Sequence, residues 1–384
     1  MNIGIFTDTY TPQINGVATS ISILENELRN LGHNVYIITT TDAQAKKNSQ
    51  NVIRLKSMPF VFMPRSRVAL LYSPRVAMMV KRLNLDIIHT HTEFALGFFG
   101  KLLSKQFKIP LVHTYHTMWE EYVHYIARGH LISKSFAKRY SRFFCHRALV
   151  VVTPTLKSKE LLKSYGVSRP IKVIPTGINF APFLQKNTDI QDTRAEFGLT
   201  LDDIVITFIG RIAKEKNIDI IIKSMGEVFE KSPKTKLVIV GDGPARAELT
   251  EISKKMGFED RIIFAGFRPW AEISKYYQMA DYFISASETE TQGLTYIEAI
   301  ASKIPIIAKY DDAIKDIIKH KQTGFLFHDS NSIAQTILEA LNSSDNTTIT
   351  ENAFKQIEHL SSENFGKNMS ELYKKVISAY PKRR

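Results

Sequence analysis

The 384-residue chain predicts an α/β protein of two Rossmann-like domains facing each other across a cleft. Three observations carry that expectation. Short apolar runs alternate with helical periodicities, the pattern of parallel sheets covered on both faces. The alternation restarts near residue 204. The charge is also divided: residues 1–180 hold 24 Lys and Arg against 9 Asp and Glu, or +15, and the remainder holds 27 against 29, or −2.

Ile3-Gly4-Ile5-Phe6 reads as the first strand, followed by a loop over 7–16 with Pro12 and Gly16. Residues 17–31 set Ile21, Leu24 and Leu28 on one helical face, and Gly32 stands where a helix C-terminus favours glycine. Strands are expected at 35–38, 86–89, 110–113, 148–152 and 171–174. A second series follows at 204–209, 236–240, 262–265, 282–285 and 304–308, with helices between. The domains are expected at 1–178 and 179–364, with a hinge at 177–180. An amphipathic helix over 365–380 opens a final segment, 365–384, expected to pack back on the first domain.

Hydrophobic content of 44 % and charged content of 23 % indicate a soluble globular chain. Cys145 is the only cysteine, which excludes an intrachain disulfide framework. The opening MNIGIF lacks the basic-then-apolar order of a secretory signal, and no apolar run approaches the roughly 18–20 residues that span a bilayer. The expected location faces the cytoplasm. Between Arg54 and Arg147 there are 16 basic residues against 4 acidic, so the first domain should face something anionic. Nucleic acid and an acidic membrane surface are the two candidates. No helix-turn-helix, zinc or RNA-binding motif accompanies the charge, which leaves only sequence-blind attraction for a nucleic acid.

Open α/β sheets bind ligands beyond the carboxyl ends of their strands, so loops after strands are where chemistry belongs. Gly210-Arg211-Ile212-Ala213-Lys214-Glu215-Lys216 follows one such strand. Arg211 offers phosphate a planar fork and Lys216 a compact charge. Val240-Gly241-Asp242-Gly243-Pro244 follows the next strand as a tight turn, and Gly266-Phe267-Arg268 could offer backbone groups to a nucleobase edge. ETETQGLTYIEA, residues 288–299, sets Glu290 and Glu298 either side of Gly293 where a helix should begin. The N–H groups of Gly293, Leu294 and Thr295 would attract phosphate at that helix start. The two carboxylates can accept from vicinal hydroxyls. Together these residues point to a ligand with both hydroxyls and phosphate.

The spacing of Glu290 and Glu298, Gly210-Arg211 with Lys216, Gly241-Asp242-Gly243-Pro244 and the Gly16 loop together resemble the family-4 retaining glycosyltransferases of GT-B fold. The resemblance covers essentially the whole chain. Within the family, IGIFTDTYTPQINGVATSI, HTHTEF, HTYHTMWEEYVHY, RIAKEKNID and ETETQGLTYIEA are similar to the bacterial glycolipid branch, which acts on 1,2-diacylglycerol. The resemblance implies that residues 1–178 serve the acceptor and membrane, and 179–364 the nucleotide sugar. It implies that Arg211 and Lys216 hold the diphosphate of UDP-glucose, Glu298 the ribose, and Glu290 the sugar. Gly210, Gly241 and Phe267 would line the nucleotide, and Gly293, Leu294 and Thr295 would contact sugar and phosphate. Gly16 would let its loop close on the donor, and His116 would be the active-site histidine near the sugar.

Retention of configuration, a front-face mechanism and no essential metal are likewise implied. The chain carries no Asp-x-Asp motif after a strand. One departure is Tyr310-Asp311-Asp312, where many relatives have a glycine pair. UDP-galactose as donor, a polyprenyl lipid or glycan as acceptor, and nucleotide-sugar 2-epimerisation are the alternatives. The basic half then suggests an anionic membrane surface as partner. Arg65, Arg67 and Arg75 lie among apolar residues over 58–81, and Lys134, Lys138, Arg139 and Arg142 lie among Phe136, Phe143 and Phe144.

Overall fold

β1 (Asn2–Phe6), β2 (Asn34–Thr40) and β3 (Val52–Leu55) open the chain, followed by a hairpin of β4 (Ser57–Phe60) and β5 (Met63–Ala69). β6 (Ile87–Thr90), β7 (Leu111–Thr114), β8 (Val150–Thr153) and β9 (Ile171–Val173) complete a sheet of order β3-β2-β1-β6-β7-β8-β9, parallel throughout. The computed structural model describes residues 1–13, 15–45, 51–60, 63–69, 74–116, 134–185 and 189–380, with backbone only at 59–60, 63–69 and 134.

β10 (Ile204–Ile209), β11 (Thr235–Val240), β12 (Ile262–Gly266), β13 (Tyr282–Ser285), β14 (Ile306–Lys309) and β15 (Phe325–Phe327) form a second sheet. Its order is β12-β11-β10-β13-β14-β15, again parallel. In both sheets the order reverses beside the first strand, between β1 and β6 and between β10 and β13. That reversal is where a Rossmann-type sheet opens a crevice for a ligand. The hairpin β4–β5 and the short β15 are additions to the expected elements. Prolines at 59 and 64 and the three-residue length of β15 blur their period-two signal.

The chain divides into Met1–Gly177 with Ser362–Arg384, and Ile178–Ser361. In the first unit, Ile3 and Ile5 pack with Ile21, Leu24 and Leu28 of the helix Gly16–Asn30, and with Met369 and Tyr373 of the helix Ser362–Ala379. The opposite side of β1 buries Phe6 against Leu96, Phe99 and Leu103 of the helix Ala95–Phe107. In the second unit, Ile206 and Phe208 face the helix Ile218–Lys231, while Val205 and Ile209 face Ile297 and Ile300 of the helix Leu294–Ala301. Alternation along each strand feeds both layers, as a sheet buried on two faces requires. Among the described residues no helix is long and apolar enough to cross a membrane.

Candidate active site

The loops after β10 and β13 meet at the reversal point of the second sheet. Lys216 sits in the turn after β10, and its Nζ lies 2.5 Å from Glu290 Oε1 and 3.2 Å from Ser287 Oγ. Only 19 % of the Lys216 side chain and 14 % of that of Glu290 is exposed, so the pair is shielded from bulk water. Arg211 is more open, and its guanidinium stands 3.9 Å from Glu215. Two cations and a carboxylate, 74 residues apart in sequence at Lys216 and Glu290, are therefore delivered to one strand edge.

Gly293 caps the helix Leu294–Ala301 at φ +76°, and no side chain caps that end. A Cβ at Gly293 would also lie 2.7 Å from the Tyr296 ring, so both the left-handed turn and the packing demand glycine. The first N–H groups of the helix, including those of Leu294 and Thr295, have no intrahelical acceptor and carry the positive end of its dipole.

Glu298, one turn in, is buried. Trp270 donates Nε1–H to its Oε1 at 3.1 Å, and Tyr277 donates its hydroxyl to Oε2 at 2.8 Å. Burial pushes the carboxyl up to about 7, against the lowering effect of those two donors. Trp270 and Tyr277 are components the sequence reading missed, as is Ser287. Their separations of 28 and 21 residues from Glu298 leave no local signal.

The other proposed nucleotide residues fall on the same edge. Gly210 N–H donates to Val240 O, and Gly241 N–H donates to Gly266 O, so three loops stand in register at strand ends. A Cβ on Gly241 would come within 1.9 Å of Gly210 O, giving Gly241 a packing role of its own. Phe267 is 51 % exposed beyond β12, a surface suited to stacking. Tyr310-Asp311-Asp312 also gains a local account: Asp311 accepts the N–H of Ala313 at 2.6 Å, and Asp312 pairs with Lys315 at 3.1 Å. Asp311 thus closes a turn.

In the first unit Gly16 is the first residue of its helix, capped by Asn15, whose side chain accepts from Ala18 N–H. His116 follows β7 by two residues, and its Nε2 lies 2.9 Å from His91 Nδ1. Burial holds His116 down at about 3 and therefore neutral.

The expected membrane segment is corrected at one residue. The helix Lys134–Cys145 buries Ala137, Ser141, Phe144 and Cys145 on one face. Phe144 is therefore core, packed against Phe98 and His113, because the helical period places 137, 141 and 144 together. Phe136 and Phe143 are 54 % and 50 % exposed, beside exposed Lys138, Arg139 and Arg142. Arg75 is exposed on the helix Pro74–Arg82. The side chains of Arg65, Arg67 and Lys134 lie outside the described residues.

Two family models match the chain: Glycosyltransferase Family 4 over residues 14–181 and Glycosyl transferases group 1 over residues 189–356. The α-monoglucosyldiacylglycerol synthase of Streptococcus pneumoniae is 40 % identical over 384 residues, covering 98 % of this chain and 86 % of that protein. The protein of the same name from Acholeplasma laidlawii is 31 % identical, covering 98 % of each. Among solved structures, Anabaena HepE in complex with UDP and glucose superposes with a TM-score of 0.80 at 19 % identity, over 97 % of this chain and 99 % of that one.

Proposed function

The chain belongs to the family-4 glycosyltransferases, and from that premise we propose that it moves glucose from UDP-glucose to the free 3-hydroxyl of 1,2-diacylglycerol, giving an α-linked monoglucosyl lipid. The observation that carries the reading is the meeting of Lys216, Ser287 and Glu290 at the β10/β13 reversal, beside the uncapped helix start at Gly293. Two relatives named α-monoglucosyldiacylglycerol synthase support the choice of acceptor.

Arg211 and Lys216 hold the diphosphate and stabilise its charge as the bond to the sugar breaks. The N–H groups at Gly293, Leu294 and Thr295 add fixed dipoles that need no rearrangement. Glu290 accepts from sugar hydroxyls. Each Glu298 oxygen keeps a lone pair beyond those used by Trp270 and Tyr277, and these receive the ribose hydroxyls. Phe267 stacks on the base. His116 is assigned its contact with the sugar from the resemblance.

The proposed mechanism retains configuration on the front face: the acceptor hydroxyl attacks as the leaving diphosphate takes its proton, without a protein base or a metal. Positive charge and positioning are the tools such a step needs.

The acceptor stays in a bilayer, so the enzyme works at a membrane surface, peripheral and on the cytoplasmic face. Phe136 and Phe143, exposed among Lys138, Arg139 and Arg142, supply apolar insertion and attraction to anionic lipid of about 1 kcal/mol per basic residue. Replacing both phenylalanines by Ser and Arg139 by Glu is expected to weaken sedimentation with phosphatidylglycerol vesicles at least about tenfold, leaving thermal stability unchanged. Undiminished sedimentation moves the membrane contact elsewhere.

Transfer of labelled sugar from UDP-glucose and UDP-galactose into organic-extractable product, from vesicles containing diacylglycerol, tests the whole reading. Label should enter a monohexosyl lipid from UDP-glucose, faster with anionic lipid present and undiminished by a chelator. UDP release without labelled diacylglycerol product would transfer the acceptor role to a polyprenyl lipid or glycan. Interconversion of nucleotide sugars without any acceptor would make the protein a 2-epimerase.

A further inference from the structure

Lys309 is the last residue of β14, a strand paired with β13 on one side and β15 on the other. Tyr310 N–H donates to Phe327 O at 2.9 Å, so the ladder runs one residue past Lys309 and fixes its backbone. The Lys309 ammonium pairs with the carboxylate of Glu288. Only 19 % of the Lys309 side chain is exposed, whereas that of Glu288 is half-exposed. Neither residue enters the proposed transfer step.

Glu288 lies two residues before Glu290, in the segment 286–293 that joins β13 to the helix Leu294–Ala301. That segment has no helix or strand of its own and is held from two flanks. On the β10 side, Asn217 Nδ2 donates to Ala286 O at 3.2 Å, and Lys216 Nζ donates to Ser287 Oγ at 3.2 Å. On the β14 side stands Lys309. β13 runs between β10 and β14 in the sheet, so the two holds grip one loop from opposite neighbours.

A loop held from one neighbour alone can turn about that hold; a second hold from the other side fixes its path. Glu290 needs such a fixed path, because an acceptor of directed hydrogen bonds works only within a fraction of an ångström. Ordering side chains offsets much of an open ion pair's gain. Here Lys309 is shielded and carried by a strand, so the ordering falls mainly on Glu288.

We propose that Lys309, through its ion pair with Glu288, is a positioning residue that sets the place of Glu290 against the donor sugar. The sugar contact rests on the proposed function; the hold on the loop does not. Arg211 and Lys216 take the diphosphate from a different loop, so loss of the pair should fall on the sugar.

Hydrogen exchange on the full-length protein without ligand reads the hold itself. Amides over 287–292 should exchange about threefold or more faster in Lys309→Met and in Glu288→Gln, with β10 and β13 unchanged. Wild-type exchange there in both variants overturns the proposal, whatever the substrate.

With UDP-glucose and diacylglycerol vesicles, each variant should lower kcat/KM about threefold to tenfold, while Kd for UDP by calorimetry stays within about twofold. Both variants break the same tie, so the double variant should lose no more than either single one. Lys309→Arg keeps the cation and should keep wild-type values. A loss in Lys309→Met with none in Glu288→Gln would make Lys309 a direct ligand of the donor and overturn the proposal, as would UDP binding that weakens in step with kcat/KM. A wild-type protein that turns over no nucleotide sugar refutes the proposed function and the sugar contact with it; faster exchange in both variants would still establish the hold.

Discussion

Lys216→Ala is expected to lower kcat for sugar transfer by about 10²–10³, the cost of removing one preorganised group that meets developing charge. The side chain is shielded, it touches both Ser287 and Glu290, and it sits where the order of the second sheet reverses. If its charge acts as the diphosphate departs, kcat falls more than KM rises; if it binds ground and transition states equally, KM alone responds. Glu290→Gln should lose a comparable factor, since it removes a charged acceptor and leaves the Lys216 ammonium without its carboxylate. Because the two side chains touch, the double variant should fall well short of the product of the single losses. Lys223→Ala, an exposed residue paired only with Asp219 among the contacts described, provides the control and should stay within about twofold. Wild-type kcat/KM in both site variants would falsify the placement of the reaction at this strand edge.

The two units should respond to acid in opposite senses. In the first, burial is the leading reason that His89, His91, His113 and His116 lie below the ordinary histidine value. A depressed value keeps each ring neutral in the fold, while the unfolded chain takes up a proton below about pH 6.5. The stability held by these rings is complete above that pH and is lost as the pH falls, for His116 down to about 3. Each proton taken up on unfolding costs about 1.4 kcal/mol per pH unit. Asp8 offsets part of this, because burial raises its carboxyl to about 6 and the fold then binds a proton before the unfolded chain does.

In the second unit Glu298 behaves like Asp8. Its burial penalty is complete above about pH 7 and is relieved as the pH falls toward 4.5. Hydrogen exchange at pH 7.5 and 5, corrected for intrinsic rates, separates the units. Protection of β1 and β6 amides should fall at pH 5 while that of β10 and β13 holds or rises. Equal protection of the first unit at both values would contradict the assignment of neutral buried histidines.

Much of the fold was legible because a parallel sheet covered on both faces writes itself as apolar runs between helical periods. The strands at 204–209 and 282–285 were read to the residue. The hairpin β4–β5 escaped because two prolines interrupt its alternation. Gly293 was legible as the start of a helix, since a left-handed cap is a local demand on one residue. Phe144 was misread because its basic, aromatic surroundings suggested an interface, whereas helical phase carries it into the core.

By itself the sequence determined two rounds of strand and helix, one basic and one near-neutral half, and loops of cations, glycines and acids at strand ends. All of these are encoded within a turn or a strand of the residue concerned. Tertiary structure alone decided that Lys216 meets Glu290, that Trp270 and Tyr277 hold Glu298, and that Tyr373 reaches His89 across 284 residues. Periodicity states which face of an element is buried. It does not state which partner waits there, because a hydrogen bond or ion pair depends on strand order and on separations of about 3 Å that no local pattern records.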